Sequence, residues 1–580
     1  MALAPNLQES LNIDLLETHN RLGDETVVVT AGSLERLVRH LRDERKFDCL
    51  MDLTVVDWMG QDSRFEVVYH LYSFSRNERL RIKVPLQEKR ARVPTLTSYY
   101  RSADWLEREA WDMFGVDFEG HPDLRRLLMY DGFEGHPLRK DYPKNRRQPR
   151  IGPGAREETR FKDADFSGVL QALAREKTKG AGGNESDILA DPTTMYLNMG
   201  PSHPAMHGVV RIMVALRGET ILASDVEIGY MHRCFEKEAE THLYNGVIPY
   251  TDRLNYVSPL INNVGYVMAV EKLFEVTTPE RCQYIRVIMS EISRVCDHLT
   301  CVGAFAMELG AFTVFLYMMK AREYFYELIE DVTGARLTTC YTRIGGLRND
   351  LPDGFGEKVT EKIRLVREVL DECALLLARN RIFYDRMKGV GVILPNDAIS
   401  YGYTGPCLRA TGVAYDVRKA NPYLVYDRLD FEVPVGTDGD CYDRYQVRMA
   451  EMEQSLRIIE QAMRDLPDGP VCLDDKRMTL PSKREVYETI EGLMNHFKLI
   501  MPGHGIRPPA GETYFPVEGG NGELGFHVVS DGSGVPVRVR VRAPCFHLVA
   551  SLPHLLRGQM VADVVPVFGS INMIAGELDR

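Results

Sequence analysis

The chain has 580 residues, 44% of them hydrophobic and 27% charged, with a formal net charge of −12 at neutral pH. A single core stops growing at roughly 250–300 residues, so more than one domain is expected. The acidic balance excludes the broad basic footprint of a nucleic-acid binder.

The opening, MALAPNLQES, has neither a basic n-region nor an apolar h-region. No secretory signal is therefore expected, and the chain should stay in the cytoplasm. The 11 cysteines contain no C-x-x-C pair. An iron–sulfur cluster or a structural zinc needs grouped thiolates, so no metal is expected in this chain.

Residues 1–150 read as a small α/β domain. Leu34–Glu44 has a helical pattern, and Leu50–Val56, Phe65–Ser73 and Arg79–Val84 are strand-like runs of Val, Leu, Ile and aromatics. Leu96–Phe114 reads as a further helix. Residues 121–150 are rich in His, Pro and Arg and end in KNRRQPR. Such a run suits either an extended arm lying on a partner's surface or a solvated basic loop. Residues 151–191 read as arm and linker, Gly- and charge-rich at EKTKGAGGNESD. Its GAGG follows no strand, which argues against a dinucleotide loop.

Residues 192–580 read as a larger, mostly helical domain with β elements at both ends, making the chain α+β overall. Thr194–Met199, Val209–Leu216 and Ile221–Glu227 are expected strands. Thr278-Pro279 is a helix start, and Ile285, Ile288, Ile292, Val295, Leu299 and Val302 follow at helical spacing. Gly356–Asn380 and Tyr442–Arg464 are expected helices, and the pattern returns to β from Gly525 to Val541 and beyond. Val302–Met319 is almost long enough to span a bilayer, but Glu308 inside it favours a helix buried in protein.

Three places carry possible chemistry. His203 and His207 lie four apart in HPAMH, but Pro204 and the flanking glycines argue against a helical metal site. A loop lifting a histidine off a sheet edge suits a ligand contact. Glu308 needs a partner or a proton; an arginine salt bridge and a histidine-orienting role both remain open. Tyr256, in PYTDRLNYVS, is on local pattern an ordinary core tyrosine. Cys296 and Cys301 are two thiols, too few for a cluster.

LNMGPSHPAMHGVVR, IGYMHRCFEK, PYTDRLNYVS and GSINMIAGELDR, in that order, resemble the 49 kDa (D) subunit of respiratory complex I, NADH–quinone oxidoreductase. EREAWDMFGVDFEGHP, beginning at Glu107, and the following DLRRLLMYDGFEGHPLRKDYP resemble its 30 kDa (C) subunit. The resemblance covers almost the whole chain and is to the fused C/D form of some bacteria. It implies a docking domain over 1–150 and a quinone-site domain over 192–580. The latter is similar to the large subunit of nickel–iron hydrogenases without the metal.

The resemblance further implies that His207 and Tyr256 bind the quinone headgroup and supply protons, and that Glu308 pairs with His207, where the family usually has Asp. Ile574 matches a pocket-wall position, and Arg233 an arginine close to a partner's cluster. Thr338 stands where many members place a histidine beside that cluster. A threonine cannot titrate, so the cluster's potential is expected to depend little on pH, as suits a low-potential quinone. FMN and the iron–sulfur clusters are implied on partner subunits, among them the one carrying the terminal 4Fe–4S cluster. A membrane subunit is implied at the quinone entrance of a proton-pumping complex, with this chain peripheral on the cytoplasmic side of the inner membrane. Two rival readings are a catalytic hydrogenase large subunit, for which the required cysteine pairs are missing, and a non-catalytic scaffold.

Overall fold

The computed structural model describes residues 13–148, 168–172, 193–203 and 208–580. The arm-and-linker stretch lies mostly outside these ranges.

The N-terminal part is β-rich. Strands β1 (Leu15–Arg21), β2 (Asp24–Val29), β3 (Cys49–Asp57), β4 (Phe65–Ser73) and β5 (Glu78–Leu86) form one sheet in the order β1-β2-β5-β4-β3. Its pairs are antiparallel except β2 with β5. Helix α1 (Ala31–Asp43) buries Leu34, Leu37, Val38 and Leu41, one face of the helical repeat, in the core it shares with the sheet.

The helix expected over Leu96–Phe114 begins only at Ala103, as α2 (Ala103–Phe114). The cause is Glu107, whose carboxyl reaches back to accept from Thr95 Oγ1 (2.5 Å) and the Leu96 amide (2.7 Å). Those bonds hold the preceding residues in turns.

The C-terminal part opens with a three-stranded antiparallel sheet, β6 (Thr194–Met199), β7 (Arg211–Arg217) and β8 (Thr220–Glu227), in the order β8-β7-β6. The helices α3 (Pro259–Leu273), α4 (Glu280–Glu308), α5 (Phe312–Thr333), α6 (Phe355–Ala378) and α7 (Cys441–Arg464) follow. A second antiparallel sheet, β9 (Gly511–Glu518), β10 (Glu523–Ser530) and β11 (Arg538–Arg542), comes next, and a short helix, α8 (Ala575–Asp579), ends the chain.

The 29-residue α4 packs against α3, α5 and α7. It carries charges into the core because each finds a partner. Glu291 accepts from Arg418, Tyr426 and Ser455, and His298 shares a 2.9 Å hydrogen bond with Glu451.

Val302–Met319 is not one helix. The chain breaks between Glu308 and Phe312, where Gly310 adopts φ +89°, a left-handed conformation that favours glycine. Glu308 therefore ends a helix instead of sitting inside one. Among the described residues no helix is long and apolar enough to cross a membrane.

The basic stretch after Gly120 carries an exposed run, residues 143–147, as expected of a solvated basic loop. Its described part, to Gln148, folds back on its own chain. Lys140 Nζ pairs with Glu240 (2.5 Å) and Lys144 Nζ with Glu238 (2.6 Å), both in the C-terminal part. Asp112 fixes the start of the stretch by accepting from the amides of Leu127, Leu128 and Met129.

The two parts meet chiefly at β11, whose RVRVR alternation sends three arginines to one face. Arg538 donates to the Val55 carbonyl (3.2 Å), Arg540 pairs with Asp52 (2.7 Å) and Arg542 donates to the Met51 carbonyl (3.3 Å), all on β3. All three arginines are buried.

Candidate functional site

Four separate segments converge at one end of the C-terminal part. The first is the loop between β6 and β7. Gly200, at its start, has φ +99°, and a Cβ there would meet the Val210 carbonyl oxygen at 2.1 Å, so the tight entry into the loop requires glycine. Gly208, at its end, has room only for a close approach. A Cβ would lie 3.0 Å from the Ala575 Cβ and 3.2 Å from the Met573 Cε. The loop thus returns beside Ile574. His207 lies outside the described residues; His203 is described and exposed.

The second segment is the turn leading into α3. Tyr256 is half-buried there, and its hydroxyl makes no hydrogen bond among the described residues. Burial pushes its phenol above the ordinary tyrosine value, Cys545 and Asp297 push the same way, and Arg233 opposes them. The phenol therefore holds its proton at neutral pH, as a donor should. Its neighbours Asn255 and Ser258 donate to Asp297 Oδ2 at 2.8 and 3.0 Å.

The third segment is the C-terminus. Ile574 is 6% exposed and precedes α8. Arg233, on the turn after β8, is exposed and anchored by Nη2 to the Arg253 carbonyl at 2.6 Å; its amide donates to the Arg580 carbonyl at 3.4 Å. Arg233, Tyr256 and Ile574 are thus brought together by the turns around β8 and α3 and by the chain end.

The fourth is the loop after α5. Thr338 is half-buried on it, two residues before Cys340. Burial pushes the Cys340 thiol up; Arg343 opposes this, and Asp252 adds to it. Asp252 is itself pushed up to about 6 by burial, with Arg253 and Arg233 opposing. Glu308 stands half-buried at the end of α4, roughly 16 Å along the helix from Asp297 at 1.5 Å rise per residue.

Sequence reasoning missed Asp297, Asn521, Cys545, Asn572 and Glu577, a buried polar cluster behind Tyr256. A signal existed for two of them: Asp297 interrupts an apolar helical repeat, and Glu577 sits in the GSINMIAGELDR motif. Cys296 and Cys301 are buried, and the Cys301 thiol donates to the Gly569 carbonyl at 3.8 Å. Asp438, Asp440 and Asp443 are the one group among the described residues with metal-ligand proximity, and Lys388 Nζ already lies 2.5–3.5 Å from all three.

Comparison with known proteins agrees along the chain. Residues 27–148 match the family described as respiratory-chain NADH dehydrogenase, 30 Kd subunit, and residues 308–580 match the 49 Kd subunit. The chain is 47% identical to the C/D subunit of NADH-quinone oxidoreductase from Bdellovibrio bacteriovorus, over 99% of this chain and 98% of that one. It is 39% identical to the C/D 2 subunit from Aquifex aeolicus, over 97% and 96% of the two chains. The D 1 subunit from Sorangium cellulosum is 56% identical over 68% of this chain and 97% of its own length. With both halves matched in one polypeptide, and a fused relative similar from end to end, the chain belongs to the C/D subunit family of NADH–quinone oxidoreductase, respiratory complex I.

Proposed function

We propose that this subunit forms the quinone headgroup site of the complex and supplies protons when the quinone is reduced. Tyr256 carries the reading. It offers a half-buried phenol that keeps its proton and has no described hydrogen-bond partner of its own, beside Arg233 and the apolar Ile574. Two-electron reduction in a dry pocket would leave a dianion, and burying unpaired charge costs on the order of tens of kcal/mol by idealised Born estimates. Donors must therefore meet the two carbonyl oxygens. Tyr256 gives its phenolic proton to one and His207 a ring proton to the other. Glu308 pairs with His207 and favours its charged form until the proton leaves. Loss of that attraction is the local event that starts coupling to proton pumping.

In this reading residues 1–150 are a docking domain, 151–191 an arm and linker, and 192–580 the quinone-site domain, with the fold of a hydrogenase large subunit that has lost its metal. This chain binds no redox cofactor. FMN and the clusters belong to partner subunits, with the terminal 4Fe–4S cluster held next to Arg233 and Thr338. A membrane-embedded partner completes the quinone entrance, and the chain sits peripherally on the cytoplasmic face of the inner membrane.

The test is Tyr256→Phe in the assembled complex. NADH–quinone reduction should fall by at least about a hundredfold, the scale of a lost general acid. NADH–ferricyanide reduction should persist. Full quinone reduction by the variant would overturn the reading.

A further inference from the structure

Two turns of the site rest on α8. The first carries Arg233 and is held through Asp579, which is fully buried. Asp579 Oδ1 accepts from the Gly229 amide at 2.9 Å, and Oδ2 accepts from the Met231 amide at 2.7 Å. Its own carbonyl accepts from His232 Nδ1 at 2.6 Å, and the Arg580 carbonyl accepts from the Arg233 amide at 3.4 Å. The turn also abuts the N-terminal part: a Cβ on Gly229 would meet the Leu128 carbonyl oxygen at 2.2 Å. The second turn leads to Tyr256. A Cβ on Gly576 of α8 would meet the carbonyl oxygens of Arg253 and Leu254 at 2.6 and 2.8 Å. Arg233 joins the two turns, donating through Nη2 to the Arg253 carbonyl at 2.6 Å.

Asp579 differs from the other buried carboxylates. Glu236, Glu451 and Glu523 each have an arginine within 2.7 Å. Asp579 has no ion-pair partner among the described residues, and both its oxygens bind backbone amides. It therefore fixes the course of a chain segment instead of neutralising a charge. Its own place is rigid. The Arg580 side chain beside it pairs with Glu109 at 2.7 Å, donates to the Val541 carbonyl and lies over the Phe546 ring at 4.8 Å. Asparagine, of the same size, offers one acceptor and turns an N–H toward the second amide. An amide left without its acceptor in the core costs about 1–3 kcal/mol, so the turn would move to find another.

We propose that Asp579 is a positioning residue of the quinone site: by holding the turn at residues 229–233 it keeps Arg233 on the Arg253 carbonyl and so fixes the turn that presents Tyr256. The inference rests on the quinone reading of Tyr256. Every link is a direct contact: Asp579 to the amides of Gly229 and Met231, Arg580 to the Arg233 amide, and Arg233 to Arg253, three residues before Tyr256. Asp579 touches no substrate and acts only through these turns. A proton donor works within hydrogen-bond reach of its acceptor, so the phenol must be held to a fraction of an ångström. A turn free to drift would carry the phenol off the quinone oxygen and leave its chemistry otherwise unaltered.

The experiment compares Asp579→Asn, Arg233→Ala, Tyr256→Phe and the double variants in the assembled complex. Quinone turnover is normalised to NADH–ferricyanide reduction, so that a smaller yield of complex does not register. Asp579→Asn should lower kcat for quinone at least about tenfold, within the hundredfold that a displacement of about 1 Å can cost, with KM changed less than about threefold. Placed on Arg233→Ala or on Tyr256→Phe, it should lower the rate less than about twofold further, because nothing is left to position. A purely structural Asp579 would reduce the yield and leave the normalised rate of the assembled fraction at the wild-type value. That result, or a full tenfold loss added to Tyr256→Phe, overturns the proposal. If Asp579→Asn does not assemble, His232→Ala, which removes one bond of the same set, takes its place, and a wild-type normalised rate overturns the proposal. Loss of activity in Tyr256→Phe with full activity in Asp579→Asn removes this inference alone. Full activity in Tyr256→Phe removes the quinone reading beneath it.

Discussion

Arg540 and Asp52, 488 residues apart in the chain, meet in a buried two-pronged pair, with Nη2–Oδ1 at 2.7 Å and Nε–Oδ2 at 3.0 Å. The same guanidinium reaches Glu109 at 2.6 Å and Glu236 at 3.4 Å, so one side chain ties α2, β3 and the short helix Phe235–Ala239 together. Breaking a buried pair by removing one partner costs about 3–5 kcal/mol, because the other charge stays buried. Arg540→Ala should therefore lower the denaturation midpoint of the chain and expose the junction to protease. Unchanged chemical denaturation would show that the pair contributes little.

Acid should loosen the same junction. Arg538, Arg540 and Arg580 hold Glu236 well below the usual carboxylate range, although burial alone would raise it, and Glu109 is held down by Arg540 and Arg580 in the same way. Depressed carboxylates contribute stability that is fully present above their unfolded value near 4.5 and is lost as pH falls toward the folded value. Stability followed by urea titration should be flat from neutral pH to about 5 and drop below it. Arg540→Ala should blunt that drop.

Glu308, at the end of α4 and not in its interior, escapes the strict packing demands of a core position. Glu308→Gln should preserve assembly and electron input while weakening quinone affinity or coupling, read as a raised quinone KM or a lower ratio of protons pumped to NADH oxidised. Gross loss of the assembled complex would instead assign the carboxylate to fold maintenance.

Thr338 is half-buried on the loop after α5 and, in the proposed reading, stands beside the partner's cluster. A redox titration of the neighbouring cluster should show little dependence on pH in the wild type. Thr338→His should introduce a slope across the histidine range near pH 6.5. A steep slope in the wild type would rule out the idea that this position sets it.

Local periodicity revealed most of the elements. Phe65–Ser73 and Thr194–Met199 coincide with their strands, and α6 and α7 lie within two residues of expectation at each end. The failures have both local and distant causes. Nothing near Leu96 announces that Glu107 will cap its turn. Hydrophobicity averaged over Val302–Met319 hides the break that Gly310 makes. Composition of the run ending in KNRRQPR does not show that Glu240 and Glu238 will meet Lys140 and Lys144. At the site, the motifs located Arg233, Tyr256 and Ile574 individually, but Asp297 and Glu577 gain meaning only when Asn521 and Asn572 join them. The alternation RVRVR is a further legible pattern: arginines on every second residue of a buried strand mark a face built to meet carboxylates and carbonyls.

That arginine-bearing face bears on why fused and separate versions of this protein coexist among relatives. Affinity between the halves already resides in desolvated ion pairs, so peptide continuity contributes effective concentration and one-to-one stoichiometry more than holding strength. Two polypeptides cut from this sequence between positions 148 and 168 should co-purify as a heterodimer, needing only matched synthesis to replace what the covalent join provides.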